Sequence, residues 1–519
     1  MNWLDYLIII GYVAGLLYLG YAFRDNRSGK DFFLGGRSFG WFPLALSTAA
    51  TQLSAVSFIS APAFVGLKPE GGMMWLTYEF AVPLAMLFLM VILVPPMYRA
   101  GIVSVYGYLE RRFGTSTRVL LSGVFQISRA FATGVMIYTA ALILKGVMDI
   151  PMAQTILLTG VVTIVYSLQG GMRAVVYGDM VQMLVLLVGI VICLVAGLQL
   201  LGGWEAFSDA LDRSRLEVLD FQSAGLEGRN DFGFWPMLIG GFFLYVSYYG
   251  TDQSQVQRLF SASSMDTVRK TLLTNGLMRF PITLAYCVMG LVIGTFALTN
   301  ADFGAKIPTD QLDLMLPIFI RDYLPHGLIG LLIVAIFAAA MSSLSSAVNS
   351  LSAASVEDFF NRRSQLSPER YLRLSKWFAL GWGLICVVLA FFVGDIADTV
   401  IEAINKIGSV FYGPMLATFL AAIALPRVNA AGANAGLLVG VAFNVYLWLG
   451  VPSVFWFWWN AIGAVVTLVV ALLVSSFFTQ PSDGERLEFR AEWDVPKAIA
   501  LVVFFAAIVG VSVWIDALS

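Results

Sequence analysis

The sequence predicts an all-α polytopic membrane protein, and three observations carry that expectation. Of 519 residues, 59% are hydrophobic and only 12% charged, where soluble domains carry about a quarter charged residues; the mean hydropathy is +0.82. Apolar runs long enough to cross about 30 Å of hydrocarbon recur along the whole chain, and in lipid each must pair its own backbone amides as a helix. The basic residues, finally, fall in alternate loops.

Taken in order, the first run, "WLDYLIIIGYVAGLLYLGYAF", has an acid at Asp5 and neither a basic start nor a small-residue cleavage site, so it reads as a retained helix rather than a signal peptide. Further spans are expected near 41–66, 75–98, 119–144, 153–169, 176–201, 233–252, 271–298, 327–351, 377–393, 398–421, 430–450, 454–478 and 497–516, about fourteen in all. One alternating set of loops holds Arg24, Arg27, Lys30 and Arg37; Arg99, Arg111, Arg112 and Arg118; Arg258, Arg269 and Lys270; Arg362, Arg363, Arg370, Arg373 and Lys376; and Arg486, Arg490 and Lys497. The opposite loops are sparse in basic residues, so the first set is expected in the cytoplasm and both termini outside a plasma or bacterial inner membrane. Residues 202–232 read as an outer loop with a short amphipathic helix.

Composition argues against several functions. The net charge of -2 offers nothing to nucleic acid, and no obligate protein partner is inferred. Cys193, Cys287 and Cys386 lie inside apolar spans, which argues against a disulfide framework or a CxxC metal site. A single histidine, His326, and no HExxH or phosphate loop argue against an intramembrane enzyme.

The most informative stretch is "AAAMSSLSSAVNS", Ala338 to Ser350. At about 100° per residue, Ser342, Ser343, Ser345, Ser346, Asn349 and Ser350 fall in one arc of roughly 160°, opposite Met341, Leu344 and Val348. Small residues can serve helix packing alone, but an oxygen-lined face this dense suits a hard cation such as sodium. Two other spans are polar and interrupted: "STAATQLSAVSFISAPAFVG", Ser47 to Gly66, and "GGFFLYVSYYGTDQSQVQRLF", Gly240 to Phe260. Paired broken helices point to a transporter whose site lies at mid-membrane.

Together, "AAMSSLSSAVNS" with "SVEDFF", "YYGTDQSQVQR", "GGMRAVVYGDMVQ" and "TQLSAVSFISAPA" resemble the sodium:solute symporter family, relatives of sodium/sugar, sialic acid and monocarboxylate symporters, from roughly Asp31 to Gly440. The resemblance implies a leucine-transporter-like core of two inverted five-helix repeats, 31–230 and 233–425, with an extra helix in 1–30 and three more in 426–519. It implies a principal sodium site formed by Ala50, Leu53, Ala339, Ser342 and Ser343, and a second at Asp179, Ser345 and Ser346. An aspartate within an apolar span is a functional hypothesis in its own right, set against the bland role of favouring a helix start.

For the solute, the resemblance points to Gln52, Ser54, Ser57 and Glu79, and to Tyr248 as an aromatic cap. Arg129 falls near the arginine that pairs with the substrate carboxylate in sialic acid symporters, and a guanidinium suits bidentate carboxylate capture. Glu79 beside it would either pair with the arginine or repel an acid. Arg279 and Lys406 join the expected polar core, with snorkelling as the alternative. The implied function is sodium-driven uptake of a sugar, polyol or sugar acid by alternating access. The alternatives are a monocarboxylate or amino-acid symporter and, from another class, a cation channel.

Overall fold

The computed structural model describes residues 2–23, 29–53, 55–148, 150–227, 232–361, 366–393, 399–478 and 491–519. Among them every regular element is helical, apart from one isolated bridge between Phe39 and Ala262. The chain opens with α1 (Trp3–Ala22), whose start is a capping box: the Asn2 side chain accepts from the Leu4 and Asp5 amides, and Asp5 accepts in return from the Asn2 amide. Helices α2 (Trp41–Gln52) and α3 (Ala55–Gly66) form one span bent by 53°.

Next come α4 (Met73–Arg99), which begins as a tight 3-10 helix over Met73–Phe80, and α5 (Thr115–Met148). Helix α6 (Met152–Leu201) covers two predicted spans in one run. It is divided by Gly171 at φ 56°, where an added Cβ would lie 2.8 Å from the Phe32 carbonyl oxygen. Only glycine meets both the left-handed backbone and that close approach without strain.

A second broken unit follows, α7 (Gly241–Thr251) and α8 (Gln253–Phe260), separated by the extended residue Asp252, whose side chain caps α8 at the Ser254 amide. The chain continues with α9 (Met265–Thr299), α10 (Leu328–Ser355), α11 (Pro368–Ala390), α12 (Val400–Ala424), α13 (Ala430–Gly450), α14 (Trp456–Phe477) and α15 (Val495–Asp516).

Each of the fourteen predicted runs is helical, but among the described residues ten helices are long and apolar enough to cross a membrane, or eleven if α2 and α3 count as one. The three remaining runs are helical too: one is the first part of α6, one lies in α10, and one ends with α7 at the break before α8.

The core is built by close helix crossings around the broken spans. Gly66 of α3 meets Gly290 and Gly294 of α9, and a Cβ on Gly294 would sit 2.5 Å from the Gly66 Cα. The backbones can approach this closely only because both faces lack side chains. At the periphery α1, α11 and α15 present Leu7, Ile10, Leu384, Val388, Val502 and Val503 outward, as lipid-facing helices must.

Candidate solute and sodium site

The helical ladder of α2 stops at Leu53 (φ -83°, ψ 71°), whose amide donates back to the Ala49 carbonyl. Beyond that point the carbonyls of the α2 end have no amide one turn ahead and must find other partners. The Thr51 carbonyl accepts from the Ser343 hydroxyl of α10 and from the Tyr248 hydroxyl of α7, each at 3.4 Å. The serine face of α10 therefore meets the break in the first broken span, the juxtaposition expected of the principal sodium site. Ala50 and Leu53 are buried there; the side chains of Ala339 and Ser342 lie outside the described ones, as does residue Ser54 altogether.

Beside this break lies a polar cavity. Gln52, Ser57, Arg129 and Tyr248, all expected to meet solute, line it, with Trp75, Tyr78, Arg279, Tyr286, Asn405 and Tyr412. Tyr249 donates to the Gln52 amide oxygen, which fixes that side chain at the edge of the break. Tyr248 closes one side, its ring 5.6 Å from Tyr249 and 5.9 Å from Tyr412, with the Arg129 guanidinium carbon 5.4 Å from its centroid.

Two buried ion pairs decide the cavity's electrostatics. Arg129 of α5 pairs with Asp252, the residue that breaks α7 from α8. Arg279 of α9 pairs with Glu79 of α4, its Nε 3.1 Å from the carboxylate, and Thr283 donates to the other Glu79 oxygen at 3.0 Å. Glu79, expected to meet the solute, is thus buried behind Arg279, and it is Arg279 that reaches the cavity wall. The conflict foreseen between Glu79 and Arg129 does not arise, because each has its own partner. Among the described residues, Nε of Arg129 and Nη1 of Arg279 find no acceptor. Lys406 stands apart, half-buried with its ammonium 5.5 Å from the Trp448 ring.

Asp179, Ser345 and Ser346 are all buried, and Asp179 and Ser346 do converge, but on Arg258. Arg258 was grouped above with the cytoplasmic loop bases; the structure corrects this, since α8 folds inward and leaves the residue 1% exposed. Asp252, Arg258 and Ser47 are the partners that sequence reasoning missed. The first two lie in "YYGTDQSQVQR", where an acid and a base interrupt an apolar run, which was a signal available to find them.

Further ion pairs flank the cavity. Toward one end Lys68 meets Glu402 at 2.6 Å, next to the cavity-lining Ile401. Toward the other, Arg118 at the start of α5 meets Asp358 at 2.7 Å and Glu110 at 2.5 Å, with Ser104 and Ser122 also donating to Asp358.

An all-helical bundle with two broken spans, an oxygen-lined helix against one break and a polar cavity beside it defines a sodium-coupled secondary transporter of the leucine-transporter-like fold. The chain belongs to the sodium:solute symporter family, whose model matches residues 32–440. It is 31% identical over 445 residues to the human sodium/iodide cotransporter, covering 84% of this chain and 67% of that one. It is also 31% identical over 459 residues to sodium-coupled monocarboxylate transporter 1 of Xenopus laevis, covering 86% and 72%. Among solved structures, a substrate-bound, outward-open Na+-coupled sialic acid symporter superposes with a TM-score of 0.83 at 24% identity, covering 93% of this chain and all of that one. A nucleobase-cation-symport-1 family transporter in a closed conformation gives 0.52 at 13% identity, covering 89% and 97%. The protein is a multi-pass membrane transporter, not an enzyme, and couples sodium to the movement of a small solute.

Proposed function

We propose that the solute carries a carboxylate, and that this protein moves a small organic acid inward with sodium. The observation that carries this reading is the pair of cavity arginines, Arg129 and Arg279, each with a guanidinium nitrogen that finds no acceptor among the described residues and each already neutralised by one buried acid. A buried N–H without an acceptor costs about 1–3 kcal/mol, and a carboxylate placed between the two would supply both acceptors through charge-assisted hydrogen bonds. The cavity with its ion pairs is neutral, so a monoanion entering with one sodium at the neighbouring Ser343 site leaves no net buried charge. A neutral sugar would leave the sodium uncompensated, and with Glu79 engaged by Arg279 and Thr283 the expected sugar-hydroxyl partner is occupied.

Sodium-coupled monocarboxylate transporters are among the relatives, which favours a monocarboxylate. The polar wall residues Gln52, Ser57 and Asn405 favour a hydroxyl-bearing sugar acid as the second reading. The principal sodium site is proposed to comprise the Ala50, Leu53 and Ala339 carbonyls with the Ser342 and Ser343 hydroxyls. Paired breaks at Leu53 and Asp252 support two inverted repeats, 31–230 and 233–425. The ion pairs Lys68–Glu402 and Arg118–Asp358 lie to either side of the cavity and are suited to act as gates that open in turn. The alternation of basic loops favours a cytoplasmic Arg118 side, in a plasma or bacterial inner membrane with both termini outside. Alternating gates favour a carrier over a channel.

The test is uptake into proteoliposomes under an inward sodium gradient, with potassium as the control. The panel contains monocarboxylates, sialic acid, glucose, inositol and proline. Accumulation of a carboxylate that fails without sodium, with a KM raised about 10- to 150-fold by Arg129→Lys or Arg279→Lys, is the expected result, taking about 1.5–3 kcal/mol per lost charge-assisted bond. Sodium-driven uptake of a neutral sugar that no carboxylate competes against would overturn it.

A further inference from the structure

Three segments far apart in the chain meet over the end of the cavity that Ile401 lines. Lys68, just beyond the end of α3, pairs with Glu402 in the first turn of α12 at 2.6 Å, and Thr399 donates to the same carboxylate at 2.6 Å. The turn Leu312–Leu314 brings in a third charged residue, Asp313, whose Oδ2 accepts from the Val400 amide at 3.0 Å. The Ser60 hydroxyl of α3 accepts from the next amide, Ile401, at 3.1 Å. Thr399 makes no side-chain cap of its own, so the first amides of α12 are satisfied from two other segments.

The charges in this joint do not balance. Lys68 and Glu402 neutralise each other, which leaves the Asp313 carboxylate as the odd charge. It is 4% exposed, and its Oδ1 finds no hydrogen-bond partner among the described residues. An ionised carboxylate buried with an unsatisfied oxygen is costly, and taking up a proton relieves that cost. Burial pushes this carboxyl up to about 6, with Glu402 adding to the rise and Ser60, the Val400 amide and Lys68 opposing it. On the other elements packed against the turn, Arg321 and Asp322 of Met315–Tyr323 pair with each other, and Lys145 of α5 is half-buried.

We propose that Asp313 is a proton-binding site of the Lys68–Glu402 gate, taking up one proton at Oδ1 as the gate closes and releasing it as the gate opens. This rests on the reading of Lys68–Glu402 as a gate and is independent of which solute is carried.

The site reports gate position because its parts belong to separate segments. Asp313, Ser60 and Val400 enclose the carboxyl only while those segments meet. Protonation at Oδ1 leaves Oδ2 able to accept from Val400 as before and removes the odd charge. When the segments part, the carboxyl faces water and returns to its ordinary value of about 3.9. A group raised in the closed form binds its proton more tightly there, so its contribution to closure is full below about pH 4 and is lost as pH rises through about 6. With about 6 closed and about 3.9 open, closure is favoured about tenfold more at about pH 5 than at about pH 7.5. In the orientation proposed above this end faces outward, so an acidic exterior holds the gate shut.

The experiment is hydrogen–deuterium exchange, read by mass spectrometry on the purified full-length protein at constant sodium and without solute. Protection of the peptide covering residues 399–405 is expressed against the unfolded-chain rate at each pH, so the intrinsic pH dependence of exchange cancels. In wild type it is expected to rise about tenfold from about pH 7.5 to about pH 5. Asp313→Asn, neutral at both, should be equally protected at both. Unchanged protection in wild type, or the same rise in Asp313→Asn, would overturn the proposal. Should Asp313→Asn not fold, the wild-type profile decides: a rise confined to the start of α12, the end of α3 and residues 312–314 supports the site, and a rise shared by all helices overturns it. A separate assay tests the gate itself. Bridging Lys68→Cys to Glu402→Cys with a bifunctional thiosulfonate should stop sodium-driven uptake; uptake that survives the bridge would overturn the gate, and with it any link of this proton to transport, even where the exchange result holds.

Discussion

Replacing Ser343 with alanine removes one hydroxyl from the junction between α10 and the broken span α2/α3, and little else. The residue is buried, its hydroxyl approaches the Thr51 carbonyl across that junction at 3.4 Å, and alanine leaves no sizeable hole. A neutral hydrogen bond of that length is worth about 1 kcal/mol or less, so the melting temperature should hardly change. For a bound cation the same oxygen matters more: a neutral ligand to a charged group contributes about 1.5–3 kcal/mol, and each 1.4 kcal/mol is about a tenfold change. The sodium concentration for half-maximal uptake should therefore rise about 10- to 150-fold, while the maximal rate at saturating sodium is largely kept. The assay is initial solute uptake into proteoliposomes across a sodium titration, at two solute concentrations. Unchanged sodium dependence with a lower maximal rate would refute the reasoning, because the hydroxyl would then serve packing or gating and not the ion.

Other outcomes can be checked with the same protein. Glu79→Ala leaves Arg279 as an unpaired buried charge and should cost about 3–5 kcal/mol, read as a large fall in melting temperature; Glu79→Ala/Arg279→Met should recover most of it, and no recovery would mean the pair is not the cause. Gly290→Val on α9 would drive a Cβ to 2.7 Å from the Pro62 Cα of α3 and should destabilise by about 1–3 kcal/mol, whereas Gly381→Ala, with open space around it, should be neutral or slightly stabilising in the same thermal assay. Asp313, in the turn Leu312–Leu314 outside the spans, has its carboxyl pushed up to about 6 by burial, opposed by Ser60 and the Val400 amide. A folded value above the ordinary unfolded one of about 3.9 means its contribution is full below about pH 4 and is lost as pH rises through about 6. Asp313→Asn, which can still accept from Val400, should raise the melting temperature at about pH 7.5 and not at about pH 4; an equal shift at both would count against titration as the cause.

Much of the fold was legible because a bilayer constrains a chain so severely. Runs of apolar residues can only be helices there, so the apolar helices followed from hydropathy while the polar α8 did not, and the family resemblance reached the right architecture through "TQLSAVSFISAPA" and "AAMSSLSSAVNS". The meeting of Ser343 with the break at Leu53 was implied by the family resemblance, while the polar residues alone marked both spans as ones lipid does not tolerate without a use. What those strings could not supply was the pairing of charges. Glu79, Arg129, Asp179, Arg258 and Arg279 were each visible as expensive residues, but an acid's role depends on which base stands beside it. Asp179 lies 79 residues before Arg258, and Glu79 lies 200 residues before Arg279. Only the packing of α4 against α9 and the inward fold of α8 decides that Glu79 is Arg279's counter-ion and that Asp179 stands beside Arg258. Hydrophobic periodicity is local and can be read along the chain, whereas Coulomb pairing in a low dielectric depends on distances of a few ångströms between remote segments, and those exist only once the helices have packed.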